Sequence, residues 1–204
     1  MLMAAYPACF DSLTDVGVQG ILLAAGAGSR FGGGKLLHPL DGIAIGVRSA
    51  RTLLAAGLPV LAVVRPGSEA LVRLLEDAGC KVTVCANAAD GMGVSLAHAI
   101  AATDATAAGW VVALADMPRI QHATIKRIAD AVTEGALIAA PAYQGERGHP
   151  VGFGASLRGE LLALSGDEGA RAVLSRHRAG MKLVECGDPG VIFDIDSQDD
   201  LRAV

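Results

Sequence analysis

Short apolar runs alternate with segments of helical period along most of the chain, and that alternation limits the possible fold more than any other feature. Residues 16–24, 59–64, 81–86, 110–115, 137–140, 181–186 and 191–195 read as strands. Between them, residues 47–56, 68–78, 93–102 and 122–132 carry apolar side chains three and four positions apart. Leu71, Leu74 and Leu75 form one such stripe, and Ile125, Ile128 and Val132 another. Gly57 and Gly79 fall just past two of these helices, where a left-handed glycine commonly ends a helix. The alternation predicts a single doubly wound, mostly parallel, open α/β sheet with right-handed crossovers. Ligands of such sheets bind beyond the carboxyl ends of the strands, so the loops after the strands are where chemistry is expected. Residues 1–15 read as an irregular extension and 16–204 as one domain.

Composition agrees with buried parallel strands under close-packed helices: 52% of residues are hydrophobic, only 3% are aromatic, and 26 are glycine. A net charge of −4 without a basic block argues against a nucleic-acid partner, which requires a cationic footprint. No apolar run approaches the roughly 18 residues of a membrane-spanning helix. The opening MLMAAYPACF lacks the basic start of a secretory signal. Cys9, Cys80, Cys85 and Cys186 form no C-x-x-C pair, which suits free thiols in a reducing compartment. The expected location is the cytoplasm.

The first strand runs into Leu23-Ala24-Ala25-Gly26-Ala27-Gly28-Ser29-Arg30-Phe31-Gly32-Gly33-Gly34-Lys35. Glycines let backbone N–H groups turn onto phosphate oxygens, and Arg30 and Lys35 add positive charge. A purely structural turn needs neither so many glycines nor two cations. A dinucleotide fingerprint starting at Gly26 fails at Phe31, and a Walker loop ending at Lys35 fails at Ser29 and Leu36.

Residues 111–115 form an apolar strand that delivers Asp116, followed by Met117-Pro118. A hard carboxylate beside a triphosphate is what Mg²⁺ requires, whereas the plain alternative is a helix cap. Asp194 and Asp196, two apart on the expected last strand, are further metal-ligand candidates, and which of them points inward is left open. Asp199 and Asp200 read as caps of a last helix.

The loop of residues 23–35 resembles the L-A-A-G-x-x-S-R-x-G-x-x-K signature of the nucleotidyltransferase superfamily that includes the molybdenum cofactor transferases. Phe31 replaces the usual methionine, apolar in either case. Asp116-Met117-Pro118 resembles that family's metal motif, and residues 194–201 its terminal D-I-D-T-P-E-D-L, with Ser197-Gln198 in place of Thr-Pro. Asn87, Gly91 and Ser95 lie in a stretch similar to the family's base-lining N-x-x-x-x-G-M-x-x-S-L, which is also a plain loop-to-helix junction. Arg147-Gly148-His149-Pro150 resembles the motif that meets the pterin acceptor. Residues 166–171 resemble the L-x-G-D-x-G-A-R segment, with Asp167 read as a helix N-cap and Arg171 as an acceptor contact.

The resemblance implies a Rossmann-like nucleotidyltransferase fold and a molybdenum cofactor cytidylyltransferase activity. CMP would pass from CTP to the phosphate of a molybdopterin-type acceptor with release of pyrophosphate. Arg30, Lys35 and Asp116 would be catalytic, with Mg²⁺ as cofactor. A recipient molybdoenzyme or its chaperone is a further expected partner. CTP is expected over GTP because cytidylyl-using relatives read A-A-G where guanylyl-using ones read A-G-G, so a methyl at Ala25 would narrow the base pocket. Rival readings are a guanylyltransferase on the same acceptor, a cytidylyl- or uridylyltransferase on a sugar or isoprenoid phosphate, and a non-catalytic nucleotide-binding or cofactor-delivery module.

Overall fold

A computed structural model describes residues 17–203 of the chain. The expected extension 1–15, Cys9 and the Val16 start of the first strand lie outside the described residues. The first strand, β1 (Val18–Ala24), alternates its side chains between two apolar clusters. Val18, Leu22 and Ala24 enter one cluster, while Ile21 enters the other. A strand buried on both faces must be central, and β1 is. It is flanked in parallel by β4 (Val60–Val64) on one side and β6 (Gly109–Leu114) on the other.

The main sheet has eight strands. Two short strands, β2 (Pro39–Leu40) and β3 (Ile43–Ala44), form a separate hairpin between the glycine loop and the first helix. Asp41 and Gly42 both take positive φ, the two-residue turn that suits a twisted hairpin. Beyond β4 lies β5 (Lys81–Val84) at one edge. Beyond β6 lie β9 (Val151–Gly154), β7 (Ile138–Tyr143) and β10 (Met181–Glu185), with β8 (Glu146–Arg147) paired to β7. Only β8 and β9 run against the others. The chain winds outward from β1 to β4 and β5, then returns to β6 on the other side. The crevice between the carboxyl ends of β1 and β6 is therefore the switch point, where such folds hold ligands.

Helices α1 (Ile45–Ala55), α2 (Glu69–Asp77) and α4 (His122–Thr133) cover one face, through Leu53, Leu75 and Ile128. Helices α3 (Met92–Ala102), α5 (Arg158–Leu162) and α6 (Arg171–Arg176) cover the other, through Leu96, Leu161 and Val173. Each of the four helices expected from periodicity is present within two residues at each end. Gly57 and Gly79 take the left-handed conformation at φ 83° and 101°. Among the described residues no helix is long and apolar enough to cross a membrane. Cys80, Cys85 and Cys186 are free, and burial pushes the Cys80 thiol up to about 11.

Three expectations need correction. Residues 191–195 are not a strand. Pro189–Ile192 is a 3₁₀ turn, and the following residues are irregular, because their backbone groups bond to neighbouring loops rather than to a ladder. Asp167 does not cap α6: the cap position is Ala170, and Asp167 lies in the preceding turn. Strand β9 falls where no strand was expected. Its Gly152 leaves room for α4, since a Cβ there would stand 2.6 Å from Val132 Cγ2.

The same crowding sets a test of the packing. A Cβ at Gly109, in β6, would lie 2.5 Å from the Phe153 carbonyl oxygen and 2.5 Å from Val132 Cγ1. Gly109→Ala is expected to destabilise the fold by about 2–3 kcal/mol. Gly159→Ala, in the open on α5, should change it by no more than about 1 kcal/mol in the stabilising direction. Equilibrium denaturant unfolding of the two variants checks the contrast.

Candidate active site at the carboxyl ends of β1 and β6

After β1 the backbone turns through Gly28, Gly32, Gly33 and Gly34, all at positive φ. The Gly28 carbonyl accepts from Phe31 N–H and Gly33 N–H at 3.1 Å, which closes the loop on itself. Gly26, Ala27 and Ser29 face solvent, while Ala24 and Ala25 are buried. Phe31 is the buried side chain of the loop. With Leu40, Ile45 and Ile195 it forms a third, small apolar cluster. That cluster clamps the glycine loop to the C-terminal segment and so brings Arg30 and Lys35 onto the carboxylates.

Asp116 follows β6 at the switch point. Lys35 Nζ lies 2.7 Å from Asp116 Oδ2 and 3.4 Å from Asp196 Oδ1, with the Lys35 side chain only 10% exposed. Arg30 pairs with the second Asp196 oxygen. One carboxylate oxygen from each of Asp116, Asp194 and Asp196 lies within 4.8 Å of the others, a spacing that a single divalent cation can bridge. Burial raises the Asp194 carboxyl above its ordinary value, and the negative charges of Asp196 and Asp116 add to the effect. Both C-terminal aspartates thus reach the cluster, from an irregular segment rather than from one face of a strand. The turn after them is held by Asp200, which accepts from Asp196 N–H, Ser197 N–H and Ser197 Oγ at 2.9, 2.6 and 2.9 Å.

The remaining candidates divide between two flanks. Gly91 opens α3 at φ 124°, and a Cβ there would stand 2.3 Å from the Gly166 carbonyl. Gly93 N–H donates to Gly166 O at 2.8 Å. The segment 166–171, read as acceptor-side, therefore packs on the Gly91 turn, with Arg171 exposed as the first residue of α6. Asn87 is exposed beside this turn. Ser95 is 3% exposed and its hydroxyl donates to Gly91 O at 3.4 Å, at the start of α3. Ala25 belongs to the second apolar cluster, and its methyl packs into the core more than it narrows an open pocket.

On the other flank, Arg147 is exposed in β8, and His149 N–H donates to Val191 O at 2.8 Å. Gly148 has no room for a side chain, since a Cβ would stand 2.3 Å from that same oxygen. The His149–Pro150 peptide is cis. Burial, reinforced by the Arg147 charge and opposed by Asp116, lowers the His149 pKa to about 4. The imidazole is neutral near pH 7 and can offer a hydrogen bond without a charge. Sequence reasoning passed over Asp188, a carboxyl group 2% exposed, and the anchoring role of Phe31.

A model of the MobA-like NTP transferase domain matches residues 20–181. The chain belongs to this family. It is a nucleotidyltransferase, as the basic loop facing a carboxylate cluster also indicates. Nicotine blue oxidoreductase of Paenarthrobacter nicotinovorans is 32% identical over 190 residues, covering 88% of this chain and 92% of that one. Purine catabolism protein PucB of Bacillus subtilis (strain 168) is 29% identical over 195 residues, 91% and 94% of the two chains. Among solved structures, Rv0371c of Mycobacterium tuberculosis H37Rv is 28% identical, with a TM-score of 0.77 over 92% of this chain and 97% of that one. The same protein has been solved in complex with manganese, with a TM-score of 0.76 to this chain over 92% and 97% of the two.

The lowered His149 pKa has a consequence for stability. Below its ordinary value of 6.5 the unfolded chain takes up a proton that the folded chain refuses until about pH 4. The stabilisation is present above pH 6.5 and is lost as pH falls toward 4, by at most about 3 kcal/mol. In metal-free protein, His149→Gln is expected to flatten this part of the stability–pH curve, measured by denaturant unfolding between pH 7.5 and 4.5.

Proposed function

We propose that the protein transfers CMP from CTP to the phosphate of a molybdopterin-type acceptor, with Mg²⁺ as cofactor and pyrophosphate as the second product. The observation that carries this reading is Lys35 held between Asp116 and Asp196 at the switch point, at the end of a glycine loop. The loop offers N–H groups and two cations to a triphosphate, and the carboxylates fit the metal that accompanies one. A divalent cation held there would neutralise phosphate oxygens at the reacting centre.

The nucleoside lies over β1 and the Gly91 turn in this reading, and the acceptor lies beside Arg147, Gly148, His149 and Pro150. Arg147 suits a phosphate through its paired donors, and neutral His149 suits a pterin edge or a phosphate oxygen. Arg171, exposed at the first position of α6, is a further acceptor contact in this reading. The acceptor phosphate attacks the α-phosphorus in line. As a phosphate monoester it is already a nucleophile, so no residue is needed as a general base. Arg30 and Lys35 exchange their carboxylate partners for the β- and γ-phosphates and stabilise the leaving pyrophosphate. A recipient molybdoenzyme or its chaperone takes the product. The free thiols of Cys80, Cys85 and Cys186 suit the cytoplasm in which we place the reaction.

The relative named an oxidoreductase supports a second reading, in which the crevice holds a redox nucleotide. Against it, position 31 is a buried phenylalanine where the dinucleotide fingerprint needs a glycine or alanine, and the carboxylate cluster has no part in hydride transfer. Pyrophosphate release from each NTP with molybdopterin present, beside NADH and NADPH oxidation, separates the two.

Asp116→Asn and Lys35→Ala are expected to lower kcat/KM by at least about a hundredfold, equivalent to about 3 kcal/mol or more, while thermal unfolding stays cooperative. Wild-type rates in either folded variant place the site elsewhere. CTP is expected to be used in preference to GTP. Ala25→Gly should narrow that preference by about tenfold, acting through the path of the loop backbone because the methyl is largely buried. Steady-state kcat/KM for both nucleotides checks it, and a wild-type preference for GTP overturns the cytidylyl assignment while leaving nucleotidyl transfer intact.

A further inference from the structure

Two of the three clustered carboxylates, Asp194 and Asp196, stand on a segment without regular secondary structure. Something other than a strand ladder must fix them. Ile195, between the two aspartates, donates its N–H to the Asp116 carbonyl at 2.9 Å, which ties the segment's far end to the third ligand. Its near end is fastened by Asp188, 2% exposed. The Asp188 carboxyl accepts from Gln121 N–H at 2.8 Å, from Thr124 Oγ1 at 2.8 Å and from Gly190 N–H at 3.0 Å. Gln121 and Thr124 belong to the cap and first turn of α4, five and eight positions after Asp116. Gly190 then passes so close that a Cβ would lie 2.4 Å from the Arg119 carbonyl oxygen.

We infer that Asp188 is a positioning residue for the metal-ligating carboxylates, acting through Asp194 and Asp196 and touching neither substrate nor metal. Rotation of the segment carries both aspartates with it. Asp188 bonds both to its own turn and to α4, so it sets that rotation relative to the stretch bearing Asp116. A cavity of about 460 Å³ lined by Arg119, Gln121, Asp188, Gly190, Ile192 and Phe193 lies against the same turn, so a released segment has space to shift. Losing the groups that orient metal ligands commonly lowers metal affinity by about ten- to hundredfold.

The inference rests on the nucleotidyl-transfer reading of the site, and the experiment separates the two. Mn²⁺ is titrated by electron paramagnetic resonance into full-length wild type, Asp188→Asn, Thr124→Val and Asp116→Asn, each with a CTP analogue whose α,β bond cannot be cleaved. Analogue binding is also measured in chelator without metal, and unfolding is recorded for each variant. Asp188→Asn is expected to weaken Mn²⁺ binding by about tenfold or more, with metal-free analogue binding within twofold of wild type. Thr124→Val, which removes one of the three bonds and retains shape, is expected to weaken Mn²⁺ by about threefold and serves if Asp188→Asn does not fold. Lowered stability with Mn²⁺ affinity within twofold of wild type, in every variant of this pair that folds, overturns the positioning role. Unchanged Mn²⁺ affinity in Asp116→Asn overturns the metal-site reading and the inference with it.

Discussion

Bringing three carboxyl groups to within 4.8 Å of one another is the constraint that the surrounding structure answers to. Such a cluster repels itself, and the repulsion strengthens as water is excluded. The protein meets it with the two cations of the glycine loop, Lys35 between Asp116 and Asp196 and Arg30 on Asp196. These are the same charges that the proposed reaction needs on phosphate oxygens. The loop therefore has two sets of partners, internal carboxylates and incoming phosphates, and it is built to exchange them. Its glycines give it a tight path with few packed side chains, and Phe31 keeps it attached during the exchange.

The topology explains why the cluster forms at this place. Beyond β6 the sheet inserts the antiparallel strand β9 before β7 and β10, and the hairpin β7–β8 brings the segment 146–150 alongside the residues that follow β10. His149 N–H then bonds Val191 O, and Ile195 N–H bonds Asp116 O. The loops after β6, β8 and β10, far apart in sequence, meet at one end of the sheet. Candidate residues gather there: Asp116 after β6, Arg147 at the end of β8 with His149 just beyond it, and Asp194 and Asp196 after β10.

What was legible in the sequence was local. The first strand, its glycine loop and Asp116 at the end of a second strand are each written in contiguous residues. The helical stripe of Ile125, Ile128 and Val132 needs only its own spacing, whereas Leu74 turns outward from the Leu71 and Leu75 face. What was not legible depended on distant partners. Strand β9 is four residues with two glycines, and it is a strand because β6 and β7 offer ladders on both sides. Residues 191–195 have the apolar content of a strand, but their hydrogen-bonding groups are taken by loops. Asp188 is separated by 67 and 64 positions from its Gln121 and Thr124 partners, so no motif announces it. Ser95 matches a base-lining pattern by type and spacing, yet the direction of its hydroxyl is decided by how α3 starts.

Phe31 shows how a departure from a family pattern can still serve the pattern's purpose. It stands where the resembling loops carry methionine, and its ring is buried with Leu40, Ile45 and Ile195, with the His38 ring edge-on at 5.4 Å. Ile45 begins α1, Leu40 lies in the hairpin β2–β3, and Ile195 sits between Asp194 and Asp196. One apolar contact set thus joins the loop, the helix that follows it and the carboxylate segment. An apolar side chain at position 31 has to fill this small cluster because the loop's glycines contribute no packing of their own. A polar residue there would be buried without a partner and would loosen the loop from the carboxylates. A smaller apolar residue would leave a void beside Ile195, with the cations still present but held less closely to their partners. In the proposed reaction the charges of Arg30 and Lys35 supply the chemistry, and the apolar contact beneath them fixes the distance over which those charges act.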